Sequence, residues 1–207
     1  MSRLASDARA IALAGIGAVA PESALRRNLR RRGRSLGIAG GSIRLAPGEV
    51  VSVLAIGKAA GPLADAAHRV LGRGTRGLVV APESGAAPKA PFELHRGGHP
   101  LPDRGSLEAA RAAFRFLKDA PAGPVLFLLS GGGSAILEAP APGISLAELR
   151  RATSVFLGSG APIQTLNTLR RHLSSVKGGR LALAAAGRRG ATFAISDVVG
   201  DAPEDIA

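Results

Sequence analysis

The stretch Pro124-Val125-Leu126-Phe127-Leu128-Leu129-Ser130-Gly131-Gly132-Gly133-Ser134-Ala135-Ile136-Leu137 constrains this chain more than any other, because an apolar run stops abruptly in three glycines flanked by two serines. Val125 to Leu129 show no polar alternation, which is the pattern of a strand covered on both faces in a parallel sheet packed between helices. Glycines after such a strand commonly form only a tight turn. They also let backbone N–H groups approach a ligand closely, and Gly131 to Gly133 are placed to do so. A helix starting over Ser134 to Leu137 would aim unpaired N–H groups and its positive dipole end into the same crevice, which suits a phosphate or a carboxylate. Open α/β sheets bind their ligands in that crevice, at the carboxyl ends of the strands.

Two familiar motifs are absent here. A dinucleotide fingerprint needs Gly-x-Gly-x-x-Gly and an acid roughly 20 residues on; Gly131 and Gly133 are followed by Ile136, and the region of Thr153 and Ser154 has no acid. A nucleophile elbow, Gly-x-Ser-x-Gly, would require glycine at position 136.

The 207 residues are enough for a substantial core in one large domain or two small ones, and a hydrophobic content of 46% argues against a disordered chain. With aromatics at only 3% and no Trp or Tyr, that core must be built from Ala, Leu, Val and Ile. The lack of cysteine rules out disulfides and thiolate metal sites and fits a reducing cytoplasm. A net charge of +12 suggests nucleic acid as a partner. The arginines argue otherwise: Arg26, Arg27, Arg30, Arg31, Arg32 and Arg34 crowd one segment, and no Tyr or Trp is present for base stacking. That run reads as a solvated surface, and neither nucleic acid nor membrane is expected as a partner. Ala10 to Ala20 is apolar but shorter than the roughly 20 residues a membrane span needs.

Along the chain, residues 3 to 19 space Leu4, Ala8, Ile11, Ala12 and Gly15 on one helical face, and Glu22 to Arg32 restart a helix after Pro21 with Leu25 and Leu29 pointing inward. Gly33 to Gly48 reads as loop, with a short extended piece at Ser42 to Leu45. Val50 to Ile56 is a β-branched strand that runs into Gly57-Lys58-Ala59-Ala60 and a helix from Gly61 to Leu71 closed by Gly72. This turn is not a Walker A loop, since Ser52 stands in place of its first glycine and Ala59 in place of the magnesium-binding Ser or Thr. Gly77 to Ala81 and Phe92 to His95 are further strands. Gly97-Gly98-His99-Pro100-Leu101-Pro102-Asp103 then leads to Ser106 as N-cap of a helix from Leu107 to Leu117. His99 reads as a ligand, a proton carrier or a turn histidine bonded to backbone.

Ser145, with Glu148 three residues on, opens a helix from Leu146 to Leu157 through a capping box. Ile163 to Leu173 forms another helix carrying Asn167, Arg170, Arg171 and His172. Lys177-Gly178-Gly179-Arg180 starts one more, a second candidate anion cradle. Ala191 to Ser196 is a strand ending in Asp197, with Asp201 four residues on; acids at a strand end suit Mg²⁺ held partly through water. Strands and helices alternate, so the expected fold class is α/β, a Rossmann-like and mostly parallel sheet flanked by helices in three α/β/α layers.

The ordered set Gly57-Lys58-Ala59-Ala60, Gly98-His99-Pro100-x-Pro102-Asp103-x-x-Ser106, Ser130-Gly131-Gly132-Gly133-Ser134-Ala135, Asn167-x-x-Arg170-x-His172-Leu173-Ser174-x-x-Lys177-Gly178-Gly179-Arg180-Leu181 and Ser196-Asp197-Val198-x-Gly200-Asp201 resembles the type-2 glycerate kinase family, whose members are also labelled hydroxypyruvate reductases. The resemblance covers about residues 50 to 207. It implies ATP-dependent phosphorylation of D-glycerate at its 2-hydroxyl, giving 2-phosphoglycerate, with Mg²⁺. It also implies a cytoplasmic enzyme of two domains with the active site between them. Because the chain stops at Asp205-Ile206-Ala207, where family members continue into a second domain, residues 1 to 207 are read as a truncated amino-terminal domain, and a homodimer is compatible with that reading.

The roles this implies are specific. Lys58 neutralises the transferring phosphoryl group or binds the glycerate carboxylate; Ser130, Gly131, Gly132, Gly133 and Ser134 bind an anionic end through N–H groups. Asn167, Arg170 and Lys177, with Gly178 and Gly179, complete the phosphate and carboxylate contacts. Asp197 holds Mg²⁺ or orients the attacking hydroxyl. The alternatives are an NAD(P)H-dependent hydroxypyruvate reductase, against which the missing fingerprint counts, and an anion-binding fragment without catalysis.

Overall fold

A computed structural model of the chain describes residues 3–196. Its framework is a parallel five-stranded sheet. In chain order the elements are α1 (Arg3–Ala18), α2 (Pro21–Asn28), β1 (Leu29–Arg32), β2 (Ser35–Ile38), β3 (Gly41–Arg44), β4 (Ser52–Ile56), α3 (Ala60–Leu71), β5 (Arg76–Ala81), β6 (Glu93–Arg96), α4 (Arg104–Lys118), β7 (Val125–Ser130), α5 (Gly133–Ile136), α6 (Leu146–Gly158), α7 (Ile163–Leu173), α8 (Arg180–Leu183) and β8 (Gly190–Ile195). The large sheet has the order β6-β5-β4-β7-β8, with every neighbouring pair parallel. Its first strand, β4, therefore lies in the middle, with later strands added on one side and then on the other. The order reverses between β4 and β7, which makes that gap the topological switch point of a doubly wound sheet.

Strand periodicity explains the three layers. Val53 and Ala55 of β4 join Val79 and Ala81 of β5 and Leu126 and Leu128 of β7 on one face, beneath Leu63, Ala64, Ala67 and Leu71 of α3. Leu54 and Ile56, with Leu78 and Val80, point to the other face and meet Ala109, Ala112, Ala113 and Phe116 of α4. All five residues of β4 are buried, as an apolar run without alternation requires. Alanine on α3 and α4 lets both helices lie close to the sheet, which is how a chain so poor in aromatics fills its core. The α/β/α sandwich expected from the alternation is the fold observed.

The amino-terminal third departs from expectation. Glu22 to Arg32 is not one helix: α2 ends at Asn28, and Leu29 to Arg32 form β1 of a three-stranded antiparallel sheet. Gly33 to Gly48 is not mainly loop, because it supplies β2 and β3. Turns at Gly33 and Gly40 fold the two hairpins, pairing Arg32 with Ser35 and Ile38 with Gly41. The sheet's inward residues Leu29, Leu36 and Ile43 are buried against the α3 side of the core, and this long-range contact overrides the helical spacing of Leu25 and Leu29. Helix α1 forms where expected, yet none of its residues is buried, and Leu4 and Ile11 are 81% and 73% exposed. Among the described residues no single helix is long and apolar enough to cross a membrane; α1 and α2 reach the length only as a pair bent by 49°.

The cap of α4 is also displaced. The helix begins at Arg104, three residues before the expected start, and Asp103 is its N-cap. Ser106 is instead the reciprocal partner of a capping box: its N–H donates to Asp103 Oδ1 at 2.9 Å, and its hydroxyl accepts from the Asp103 N–H at 3.1 Å. The Gly98 N–H also donates to Asp103 Oδ1, at 2.9 Å, so one carboxylate ties the loop holding His99 to the helix. By contrast, Ser145 and Glu148 form the expected box at α6.

Burial pushes the Asp103 carboxyl up, but hydrogen bonds from Ser106 and Gly98, with the charge of Arg150, outweigh it and hold the group below its ordinary value. A carboxylate with a depressed folded pKa stabilises the fold above its unfolded pKa, and that contribution is lost as pH falls through the folded value. Asp103→Ala is therefore expected to cost about 1 kcal/mol at neutral pH. In urea denaturation across pH, the gap between wild type and variant should close as Asp103 protonates; a gap unchanged down to the most acid pH would contradict this role.

Candidate anion-binding site

At the switch point the turns after β4 and β7 are joined to each other. The Lys58 N–H donates to Gly131 O at 2.9 Å, and the Ala59 N–H donates to Ser130 Oγ at 3.0 Å. Ser130 Oγ in turn reaches Ile56 O at 3.4 Å. The Ser130 hydroxyl thus holds the two turns together. Such closeness explains Gly57, which has φ +120° and where an added Cβ would stand 2.3 Å from Ser130 O. Gly132 has φ +89°, and a Cβ there would come within 3.1 Å of the His99 ring and 3.3 Å of Lys58 Cε. The N–H groups of Gly132 and Gly133 find no acceptor among the described residues. Two amides, a lysine stem and an imidazole therefore meet over one bare stretch of backbone.

These groups line a cavity of about 890 Å³. Every sequence-predicted site residue within the described range reaches it: Lys58, Ser130, Gly131, Gly132, Gly133 and Ser134 from the joined turns, and Asn167, Arg170, Lys177, Gly178 and Gly179 from α7 and the turn after it. Asp197, expected to hold Mg²⁺, and Asp201 lie outside the described residues. The helix expected over Ser134 to Leu137 is the four-residue α5, and the one expected from Lys177 to Ala185 is the four-residue α8. Neither is long enough for much of a macrodipole. Positive potential in this cavity comes from individual N–H groups and side-chain charge.

That charge is one-sided. Lys58, Arg170, Arg171 and Lys177 line the cavity, and no described lining residue is acidic. Burial lowers the Arg170 pKa, while the charge of Glu138 works to raise it. Lys58 is exposed and lines the cavity. Lys177 differs from it, being only 6% exposed and ion-paired through Nζ with Glu138 Oε2.

Glu138 is the residue that sequence reasoning missed. It is 3% exposed, accepts from Lys177 Nζ and Ser174 Oγ, and takes the Ala139 N–H on Oε1 at 2.9 Å. Ser174 Oγ also accepts from the N–H groups of Val176 and Lys177, at 3.1 and 3.2 Å. One buried carboxylate thus anchors the segment that leads into Gly178 and Gly179. Burial lowers the Lys177 pKa, the charge and hydrogen bond of Glu138 oppose that shift, and Arg170 adds to it. The only signal in the sequence was a charged residue directly after Ala135-Ile136-Leu137, 39 positions from its partner lysine.

For a divalent metal the described wall offers hydroxyl and amide oxygens and no carboxylate. Among the described residues no group of three or more His, Asp or Glu side chains could hold one. For a phosphate or carboxylate the donors suffice. Fold and site together define a doubly wound α/β domain with a cationic cavity at its switch point.

Residues 7–207 match the family described as Domain of unknown function (DUF4147), and the chain belongs to that family. It is 42% identical over 160 residues to the D-glycerate 2-kinase of Thermotoga maritima, an alignment covering 76% of this chain and 38% of that enzyme. It is 40% identical over 157 residues to a putative hydroxypyruvate reductase of Agrobacterium vitis, covering 75% of this chain and 41% of the relative. In three dimensions it superposes on a crystal structure of a protein from Pyrococcus horikoshii OT3 with a TM-score of 0.82 and 36% identity, over 96% of this chain and 46% of the other. The chain spans about two fifths of the length of these curated relatives.

The Glu138–Lys177 pair supplies a stability test. Removing one partner leaves the other charge buried and uncompensated, so Glu138→Ala should destabilise the fold by about 3–5 kcal/mol. The double variant Glu138→Leu with Lys177→Met should recover most of that loss, because burying two apolar side chains leaves no charge stranded. Chemical denaturation measures both; a double variant as unstable as the single would show that the pair is not the source of the loss.

Proposed function

We propose that the chain contributes the phosphate- and carboxylate-binding wall of a kinase that transfers a phosphoryl group from ATP to the 2-hydroxyl of D-glycerate, giving 2-phosphoglycerate. The observation that carries this reading is the meeting of Lys58 with the unpartnered Gly132 and Gly133 amides in a cationic cavity without a described acid. Phosphoryl transfer asks for positioning and charge stabilisation more than for covalent chemistry. The names of the relatives in Thermotoga maritima and elsewhere supply the acceptor.

In this reading the Gly131 to Gly133 turn and Ser134 receive an anionic end of one substrate. Lys58 balances charge that gathers on the transferring group. Asn167 and Arg170 fix the other anion, and Lys177 adds positive potential from beneath while Glu138 holds it in place. Mg²⁺ would supply charge neutralisation on the nucleotide phosphates. Its ligands would be mainly phosphate oxygens and water, with Asp197 as the protein ligand. Residues 1 to 207 form the amino-terminal domain of the enzyme, and a second domain closes the cavity from the opposite side.

The name of the Agrobacterium vitis relative favours a second reading, reduction of hydroxypyruvate by NADH or NADPH. The turn after β7 lacks the glycine spacing of a dinucleotide fingerprint, which makes it the weaker reading.

An assay following ADP release with D-glycerate and ATP·Mg, run beside one following NADH or NADPH oxidation with hydroxypyruvate, separates the readings; turnover in the first alone is expected. Lys58→Ala should lower kcat/KM by roughly 10²–10³-fold, the scale for removing one preorganised charge-stabilising donor. Its circular dichroism should be unchanged, because the Lys58 side chain is exposed. Unaltered turnover would remove Lys58 from the mechanism.

A further inference from the structure

His99 lies at the cavity wall without a described task. It borders both the main cavity and a second one of about 600 Å³ at the carboxyl ends of β5 and β6. Its ring stands 3.1 Å from the position a Cβ would take at Gly132, as does Ile136 Cδ1, with Lys58 Cε at 3.3 Å. Among the described residues neither ring nitrogen is hydrogen-bonded, to backbone or to side chain. The backbone beneath it is held independently of the ring, through the Gly98 N–H on Asp103 Oδ1 and Ser106 Oγ at 2.9 and 3.0 Å.

The main cavity contains no other described group suited to take a proton near neutrality, since its remaining ionisable side chains are Lys58, Arg170, Arg171 and Lys177. On the basis of the kinase reading, we infer that His99 is the general base for the acceptor hydroxyl, a residue in direct contact with the reacting atoms. As the hydroxyl oxygen forms its bond to the terminal phosphorus of the nucleoside triphosphate, the bond from that phosphorus to the bridging oxygen breaks. The departing diphosphate takes that electron pair. The hydroxyl proton passes to the unprotonated ring nitrogen of His99, which returns it to solvent after product leaves.

The surroundings suit a base more than an acid. Burial lowers the His99 pKa, and the charges of Lys58 and Arg170 lower it further, so the ring is neutral at neutral pH. On the side of the second cavity the ionisable groups besides His99 are Lys58, which borders both cavities, Glu83, His95, Arg96, Asp103 and Glu108. Of these, Asp103 is committed to Gly98 and Ser106, and His95 pairs with Glu93 at 2.6 Å. An imidazole kept uncharged beside two cations can accept a proton without first losing one, as general-base catalysis at neutral pH requires.

The test measures D-glycerate phosphorylation by ATP·Mg against pH for wild type, His99→Ala, His99→Gln and Asp197→Asn, with the thermal midpoint of each. Wild-type kcat/KM should fall on the acid side with a midpoint below the ordinary imidazole range. Both His99 variants should keep the wild-type thermal midpoint, lose on the order of 10²–10⁴-fold in kcat and lose that acid limb. Added imidazole should restore part of the rate to His99→Ala and none to His99→Gln, whose longer side chain fills the space; a role in folding alone would give no rescue. His99 variants that keep the wild-type rate and profile, or an acid limb abolished only by Asp197→Asn, would overturn the inference and leave the kinase reading standing. A wild-type protein that transfers no phosphate to glycerate would overturn the kinase reading and this inference with it.

Discussion

The parallel pairing of β4 with β7, from Ser52 opposite Val125 to Ile56 opposite Leu129, is the contact on which the site depends. It joins segments more than seventy residues apart, and its register ends both strands at the same level. The turns that follow, Gly57-Lys58 and Ser130 to Gly133, have nowhere to go except against each other. A two-residue slip would part Lys58 N–H from Gly131 O and Ser130 Oγ from the Ala59 N–H, and with them the backbone surface between Lys58 and His99. Burial on both faces fixes the register, because no residue of β4 can turn toward solvent without leaving the core.

A second constraint is electrostatic. The cavity gathers four cationic side chains from two regions of the chain, and each is handled differently. Lys58 remains exposed, where water keeps its charge inexpensive. Lys177 is buried, and an isolated ammonium there would cost several kcal/mol. Glu138 meets that cost directly beneath the wall. The same carboxylate moderates the burial of Arg170, so a single anion below the surface keeps positive potential facing the cavity without unfolding its floor.

How much of this was legible in the sequence follows from the range of the interactions involved. β4, β5 and β7 were readable because each leaves an unbroken apolar run, fully buried in β4 and turning Phe127 and Leu129 toward the cavity in β7. The α6 cap was readable because Ser145 and Glu148 act within one turn of helix. The glycines marked where the backbone must come close. Leu29 to Arg32 was misread because its helical spacing is local, whereas its partner is a hairpin closed by Gly33 and Gly40, and four arginines around the turn hide the buried Leu29 and Leu36. The N-cap of α4 was misplaced because Asp103 and Ser106 cap each other, and either could stand at the boundary. Glu138 left almost no trace, since a buried ion pair spanning 39 residues has no periodicity. The site's backbone was therefore foreseeable, while the charge that balances it was not.

The central claim is that the β4 and β7 turns form one anion receptor, and backbone amide NMR tests it most directly. Titrating the protein with ATP·Mg should shift Lys58, Gly132 and Gly133 together along one saturable curve, with His99 moving at the same midpoint. Shifts confined to the arginine-rich hairpin around Arg30 to Arg34, or separate midpoints for Lys58 and Gly132, would contradict it.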